Sequence, residues 1–366
     1  MLKKILTFYA IFFLIFNINA ETISPENPAF TYYGRIDYSN PTKPTMFWTG
    51  NSIDIIFEGT KLEISLNDTG KNYYNIIIDD DLNKQEIIKC KKGLNNYRYN
   101  KPLTNGKHKL TIYRRTDLGA GGTIFCGIKI DSNKKVYKVP EKKLKIEFYG
   151  DSITCGYGVE DKSRKDNANP LYANNYLAYS SIVARELNAD AHYIAKGGIG
   201  ITCGFVPYNI DEIYNKLEPL NKKSREWDFA SWQPNIVVIN LFQNDSALIG
   251  MKNKNKNFLK RFPNGQNPSE QYILSKYVSF LKQLINKYPN ATFICALGNM
   301  TASKKGSKWV RLKDEAVNNI KKLNKDIKIY SLTFPYKATP QHPNISEQKR
   351  MADQLIKFIK TKYKNK

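Results

Sequence analysis

"KIEFYGDSITCGYG", residues 145–158, sets a short apolar run, Ile146 to Tyr149, directly against Gly150-Asp151-Ser152. The run reads as a strand and the residues after Ser152 as the opening of a helix. A serine in that place is most often a helix N-cap. The same strand-to-helix turn is also where a serine nucleophile stands clear of the backbone. The choice depends on what the rest of the chain brings to the same edge of the fold.

Downstream, strands alternate with helices. Ile146–Tyr149, His192–Ala195, Ile236–Leu241, Thr292–Leu297 and Ile327–Leu332 read as strands, and Ala173–Leu187, Ser269–Tyr288, Val310–Leu323 and Ile345–Tyr363 as helices. Runs such as Ile236-Val237-Val238-Ile239 are apolar on both faces, as in a parallel sheet covered by helices on each side. Tyr277, Leu281, Leu284 and Tyr288 recur at helical spacing and predict one stripe against that sheet. Residues 145–366 are therefore expected to form a three-layer α/β domain. Ligands of such sheets bind beyond the carboxyl ends of the strands.

Four loops fall at that edge. They carry Gly150-Asp151-Ser152, Gly197-Gly198-Ile199-Gly200, Asn244-Asp245 and Pro340-Gln341-His342-Pro343-Asn344. Each alone has a structural explanation as a cap, a turn or a helix entry. Together they supply what acyl transfer needs: a hydroxyl nucleophile, a base, and donors for an oxyanion. Ser152, His342, the Gly198 amide and the Asn244 side chain are those candidates. The chain has three histidines. His108 falls in phase with Leu110 and Ile112 of a strand, and His192 begins a strand at the opposite end of the sheet, so His342 alone can reach Ser152.

Upstream, residues 21–134 alternate short β-rich runs with turn residues. Ser52–Phe57, Lys61–Leu66, Tyr73–Ile78 and Lys109–Tyr113, with Asn105-Gly106 and Gly121-Gly122 as turns, predict an antiparallel sandwich. Residues 135–144 read as a polar linker. At the start, Lys3 and Lys4, the apolar run Ile5–Phe16 and the residues to Ala20 have the layout of a secretory signal. Export with cleavage near Ala20 is expected, to a secreted, periplasmic or cell-surface location. The run is shorter than the roughly 20 residues a membrane span needs, so no stable membrane insertion is expected.

A net charge of +24 raises nucleic acid as a partner. The lysines are spread along the chain, and the clusters Lys252–Lys260, with the single aromatic Phe258, and Lys321–Lys325, with none, carry no nucleic-acid motif, which favours a solvated surface and no nucleic acid. Cys90, Cys126, Cys155, Cys203 and Cys295 lack metal-ligand spacing, and an odd count leaves at least one thiol free. The tryptophans Trp48, Trp227, Trp232 and Trp309 are expected in the core before any sugar platform.

Gly150-Asp151-Ser152-Ile153, the Gly198 loop, Asn244-Asp245 and His342-Pro343 match, in order, the blocks of the SGNH (GDSL) hydrolase superfamily. "FTYYGRIDYSN" at 30–40 and "GTKLEISLND" at 59–68 resemble the N-terminal jelly roll of carbohydrate esterase family 2. The resemblance implies a jelly-roll sandwich followed by a flavodoxin-like α/β/α domain. It also implies a serine esterase removing acetyl groups from polysaccharide or oligosaccharide with no metal or organic cofactor. Ser152 would be the nucleophile and His342 the base, and the amides of Ser152 and Gly198 would form the oxyanion hole with the Asn244 side chain. Two departures stand out. Thr339 occupies the place, three residues before the histidine, where the superfamily usually has an Asp, and Asp326 and Asp353 are poorly placed to substitute, so a Ser-His dyad is expected. Phe242-Gln243 replaces the common Gly-Thr before Asn-Asp and is expected to alter the pocket wall. The competing classes are a non-catalytic carbohydrate-binding protein and a lipase or thioesterase. The chain has no long apolar lid between the blocks, which favours small acyl groups.

Overall fold

The computed structural model describes residues 20–363. Residues 1–19 of the expected signal segment lie outside the described residues, and Ala20 opens the first strand. Among the described residues no helix is long and apolar enough to cross a membrane.

Twelve strands build the N-terminal part. They are β1 (Ala20–Ile23), β2 (Thr31–Tyr33), β3 (Ile36–Asp37), β4 (Thr45–Met46), β5 (Ser52–Gly59), β6 (Leu62–Asp68), β7 (Tyr73–Ile78), β8 (Asp81–Lys89), β9 (Gly93–Arg98), β10 (Gly106–Arg114), β11 (Thr123–Asp131) and β12 (Val136–Tyr137). One antiparallel sheet runs β3-β4-β11-β6-β9 with β1 on β11. The other runs β12-β5-β10-β7-β8 with β2 on β5. Alternate residues such as Ile53, Ile55, Phe57, Ile64, Leu66, Phe125 and Ile128 face one another in the sandwich core. Val136 and Tyr137 pair with Phe57 and Ile56, so the sandwich takes in the first residues of the expected linker.

Strand β7 does not alternate: all six of its residues are buried. Tyr74, Ile76 and Ile78 fill the sandwich core, while Ile77 packs with Tyr113 and Tyr176, and Asn75 donates to Asn174 Oδ1 at 3.1 Å. Both faces are covered because the C-terminal domain lies against this sheet.

That domain has five parallel strands, β13 (Leu144–Gly150), β14 (Ala189–Ala195), β15 (Ile236–Asn240), β16 (Thr292–Leu297) and β17 (Ile329–Thr333), in the order β14-β13-β15-β16-β17. Its helices are α1 (Ser152–Cys155), α2 (Tyr179–Glu186), α3 (Ile210–Ile213), α4 (Gln243–Gly250), α5 (Lys256–Arg261), α6 (Glu270–Lys287), α7 (Lys308–Leu323) and α8 (Ile345–Lys362). On one face α2 and α8 pack Tyr179, Val183, Met351 and Leu355 against Phe148 and Val238. On the other, α6 and α7 pack Tyr277, Leu281, Leu284, Leu312 and Ala316 against Ile239 and Phe293. The expected stripe Tyr277, Leu281, Leu284 and Tyr288 is buried throughout. The helix expected over 173–187 is confined to Tyr179–Glu186, because Asn174 caps a separate 3-10 turn over Asn175–Leu177. His192 lies mid-strand in β14 opposite Glu147 rather than at its start.

Buried guanidinium groups join the domains. Arg35 of the sandwich donates to Glu147 Oε1 from Nη2 at 2.8 Å and to the Tyr149 hydroxyl at 3.0 Å, and both charged side chains are fully buried. Arg115 donates to the carbonyls of Ala173 and Leu171, at 3.1 and 2.6 Å, and pairs with Glu160. Trp48 enters the hydrolase-side core and donates to the Lys216 carbonyl at 3.0 Å.

Burial pushes the Glu147 carboxyl up, but Arg35 and His192 pull it further down, to about 2. The folded value lies below the unfolded value of about 4.3. The pair's contribution is therefore complete above about pH 4.3 and is lost as the pH falls toward 2. Arg35→Met, which strands the Glu147 charge, is expected to cost about 3–5 kcal/mol in urea unfolding. Glu147→Gln is expected to reduce the loss of stability between pH 4.3 and 2. A loss below 1 kcal/mol for Arg35→Met would mean that the pair does not hold the seam.

Candidate active site

The parallel sheet changes direction of winding at β13: the chain passes to β14 on one side and later to β15 on the other. That switch point opens a crevice at the carboxyl ends of the strands, and Ser152 follows β13 directly into it. Asp151, not Ser152, caps the helix: its Oδ1 accepts from the Ile153 amide at 2.9 Å. The Ser152 hydroxyl is thereby free of capping. Helix α1 ends after one turn at Gly156, whose φ of +69° and close approach to the Asn174 carbonyl, 2.4 Å from where a Cβ would stand, require glycine.

His342 Nε2 lies 2.8 Å from Ser152 Oγ. The other ring nitrogen, Nδ1, lies 2.8 Å from Asp166 Oδ2, and the His342 amide donates to Asp166 Oδ1 at 2.9 Å. The expected Ser-His dyad is thus corrected to a Ser152–His342–Asp166 triad. Thr339 does not serve as the orienting group; its hydroxyl donates to Glu347. The acid arrives instead from the loop between α1 and α2. Asp161 shapes that loop by accepting the Ser163 and Asn167 amides, both at 2.9 Å, and Arg164 and Asp166 have positive φ. Arg164 donates to the carbonyls of His342 and Pro340, each at 3.0 Å, so the loops of acid and base are tied together. Burial pushes the Asp166 carboxyl up, but the side-chain and backbone hydrogen bonds from His342 outweigh it and hold it below its ordinary range. Asp166 is therefore ionised at neutral pH and fixes the tautomer with its proton on Nδ1 and a lone pair toward Ser152. Tyr157 packs on the imidazole with ring centres 4.8 Å apart.

The segments that carry the expected oxyanion donors lie near Ser152. The backbone of Gly197-Gly198 passes beside it: a Cβ at Gly197 would lie 3.9 Å from Ser152 Cβ, and Gly198 has a φ of +79°. Asn244 Nδ2 donates one proton to the Ile199 carbonyl at 2.8 Å, while its other neighbour, Asp151 Oδ2, is at a long 3.4 Å. The longer of these two bonds, to Asp151, is the one a ligand would displace. Among the described residues neither the Ser152 nor the Gly198 amide has a protein acceptor. Asp245 holds the loop from below, accepting the amides of Ile201, Thr202 and Cys203 at 3.2, 2.6 and 3.1 Å. Burial raises the Asp151 carboxyl to about 7, which lessens the negative charge it sets beside Asn244.

Phe242 and Gln243 do not form the altered pocket wall that was expected. Phe242 is buried against Tyr277 and Trp309, with a φ of +78° that favours glycine, and Gln243 bonds Thr301 and the Ala302 amide. His108 is buried and bonded to Asp79 and Thr104. All five cysteines are free, and burial pushes the Cys155 thiol well above its usual range, so it is no nucleophile at neutral pH.

A cleft of about 560 Å³ is lined by Tyr157, the residue packed on His342. Thr69–Lys71, Asp117 and Gly119–Gly121 of the sandwich form one wall, and Tyr157, Gly158 and Ala168–Pro170 of the other domain form the opposite one.

Replacing Asp166 with Asn removes the charge that orients His342. A fall of about 100-fold in kcat on an aryl acetate, with KM unchanged, is expected. A loss under 3-fold would make Asp166 a bystander.

Residues 32–140 match the carbohydrate esterase 2 N-terminal family, and residues 146–355 match the GDSL-like lipase/acylhydrolase family. The cellulase/esterase CelE of Acetivibrio thermocellus is 29% identical over 351 residues, covering 94% of this chain and 41% of that protein. An acetylxylan esterase / glucomannan deacetylase of Cellvibrio japonicus is 25% identical over 332 residues, 88% of this chain and 87% of that one. Among solved structures, a family two carbohydrate esterase from Clostridium thermocellum in complex with cellohexaose superposes with a TM-score of 0.79 at 29% identity. The match covers 91% of this chain and 98% of that one.

Proposed function

Since this chain belongs to the GDSL-like lipase/acylhydrolase family and carries a carbohydrate esterase 2 N-terminal domain, we propose that it removes acetyl groups from acetylated polysaccharide or oligosaccharide through an acetyl-Ser152 intermediate. The observation that carries the reading is the chain of contacts from Ser152 Oγ through His342 to Asp166, each step 2.8 Å long.

As Ser152 Oγ attacks the acetyl carbonyl, His342 Nε2 takes its proton. The carbonyl oxygen becomes an oxyanion, received by the Ser152 and Gly198 amides and by Asn244 Nδ2. His342 then gives the proton to the departing sugar oxygen, leaving acetyl on Ser152. Water, deprotonated by the same nitrogen, attacks the acetyl group; collapse releases acetate and restores the serine. Asp166 stays ionised throughout and stabilises the imidazolium of each step.

The relatives named as acetylxylan esterases and glucomannan deacetylases support an acetylated carbohydrate as substrate. So does the open cleft between the two domains, whose walls carry Lys71, Asp117, Asn169 and Lys196 as hydrogen-bonding groups. The N-terminal segment with Lys3, Lys4 and Ile5–Phe16 supports action outside the cytoplasm, where such polymers lie.

Acetate release from acetylated xylan and from an aryl acetate, by the wild type and by Ser152→Ala, tests this. Release by the wild type and a loss of at least 10³-fold in the variant are expected. Equal release by both would remove Ser152 from the reaction. No release by either would favour a non-catalytic carbohydrate-binding protein, and long-chain esters turning over faster than acetate would favour a lipase.

A further inference from the structure

The oxyanion loop contains a mechanical problem. Gly197 and Gly198 are consecutive glycines, and neither has a side chain of its own to restrain the peptide between them. That peptide bears the Gly198 N–H, and a donor to an oxyanion must be set before the reaction begins. Its other end is the Gly197 carbonyl, which lies in the same rigid plane and points the opposite way. Whatever grips the Gly197 carbonyl therefore aims the Gly198 N–H.

Lys196 grips it. Its Nζ donates to the Gly197 carbonyl at 3.1 Å and to Asp117 Oδ2 at 2.8 Å. Asp117 Oδ2 also accepts the Gly197 amide at 3.1 Å, so the pair holds Gly197 on both sides. Asp117 belongs to the sandwich. Its Oδ1 accepts the Gly119 amide at 2.8 Å, and its carbonyl accepts from the fully buried Arg114 at 3.2 Å, so it stands on a fixed loop. Two backbone bonds also hold the glycines: the Ile199 amide donates to the Lys196 carbonyl at 3.2 Å, closing a turn that either orientation of the central Gly197–Gly198 peptide can satisfy, and the Phe205 amide donates to the Gly198 carbonyl at 2.7 Å and acts on the following peptide.

We propose that Asp117 and Lys196 are positioning residues of the oxyanion hole, and that the β-sandwich thereby sets the geometry of the catalytic centre it adjoins. The proposal rests on the catalytic reading of Ser152. It adds a cation on the carbonyl end of the donor peptide, which polarises the unit and strengthens its N–H. Both residues also line the cleft, so the alternative is that they touch the sugar.

An aryl acetate separates the two, since it has no sugar. For Lys196→Met and Asp117→Asn in the full chain, kcat on 4-nitrophenyl acetate is expected to fall about 10- to 100-fold with KM within about 2-fold. Binding of a small alkylboronic acid, whose tetrahedral serine adduct places an oxygen in the hole, should weaken by a similar factor. Lys196→Arg, which keeps a cationic donor, should recover most of the loss. The double variant should be no worse than the poorer single one, because both act through one clamp. Unchanged kcat on the aryl ester, with KM raised only for acetylated oligosaccharide, would overturn the proposal in favour of a sugar contact. Additive losses, or losses that follow a lowered thermal midpoint and vanish when the assay is run cold, would overturn it also. If the wild type cleaves the aryl ester but no acetylated sugar, the assigned substrate fails and this test is unaffected.

Discussion

Two opposite charges shut away from water between the domains, Arg35 and Glu147, constrain everything else in the molecule. Neither can be left alone in that interior without a cost of several kcal/mol. The sandwich must therefore sit where the guanidinium meets β13, two strand residues from Tyr149 and on the strand that delivers Ser152. Tyr149, Tyr288 and the Tyr214 carbonyl complete the hydrogen bonds of Arg35. The same placement puts Arg115 over the 170s turns and Asp117 beside Gly197.

The site above this seam is rigid for local reasons. A buried carboxylate, Asp245, gathers three amides of the Ile201–Cys203 turn, and Asp151 takes the capping duty that would otherwise occupy the serine hydroxyl. Asp166 binds both the amide and the ring of His342, so the base is held at two points by one carboxylate. Each group near the reacting centre is oriented before a substrate arrives, the condition under which fixed dipoles stabilise a developing charge.

Much of this was legible in the chain. The doubly apolar run Ile236–Ile239 marked a parallel sheet, and the loop order placed Ser152, Gly198, Asn244 and His342 at one edge. Spacing in the sequence does not lead to this acid: the usual place three residues before the histidine holds Thr339, and Asp326 and Asp353 lie away from the imidazole. Asp166 is 176 residues away in sequence and reaches His342 through a turn with two left-handed residues. The polar run Asp161–Asn167, immediately after the Gly-Asp-Ser block, was the available sign. Phe242 misled for a related reason: its neighbours in sequence belong to the site, but its backbone turns the ring into the core. The edges of the sandwich were also blurred, since two-residue strands such as β12 carry too little pattern to be seen without their partners.

Trp48 has a further meaning. Its ring is fully buried in the core beneath the parallel sheet although it belongs to the sandwich. A module that could be exchanged by recombination would meet its neighbour through a wet and separable face. Here the sandwich finishes the hydrophobic interior of the other half through Trp48 and Leu118, so the hydrolase half cannot be parted from it without opening that core. Grafting the hydrolase half onto another scaffold would mean carrying the sandwich with it.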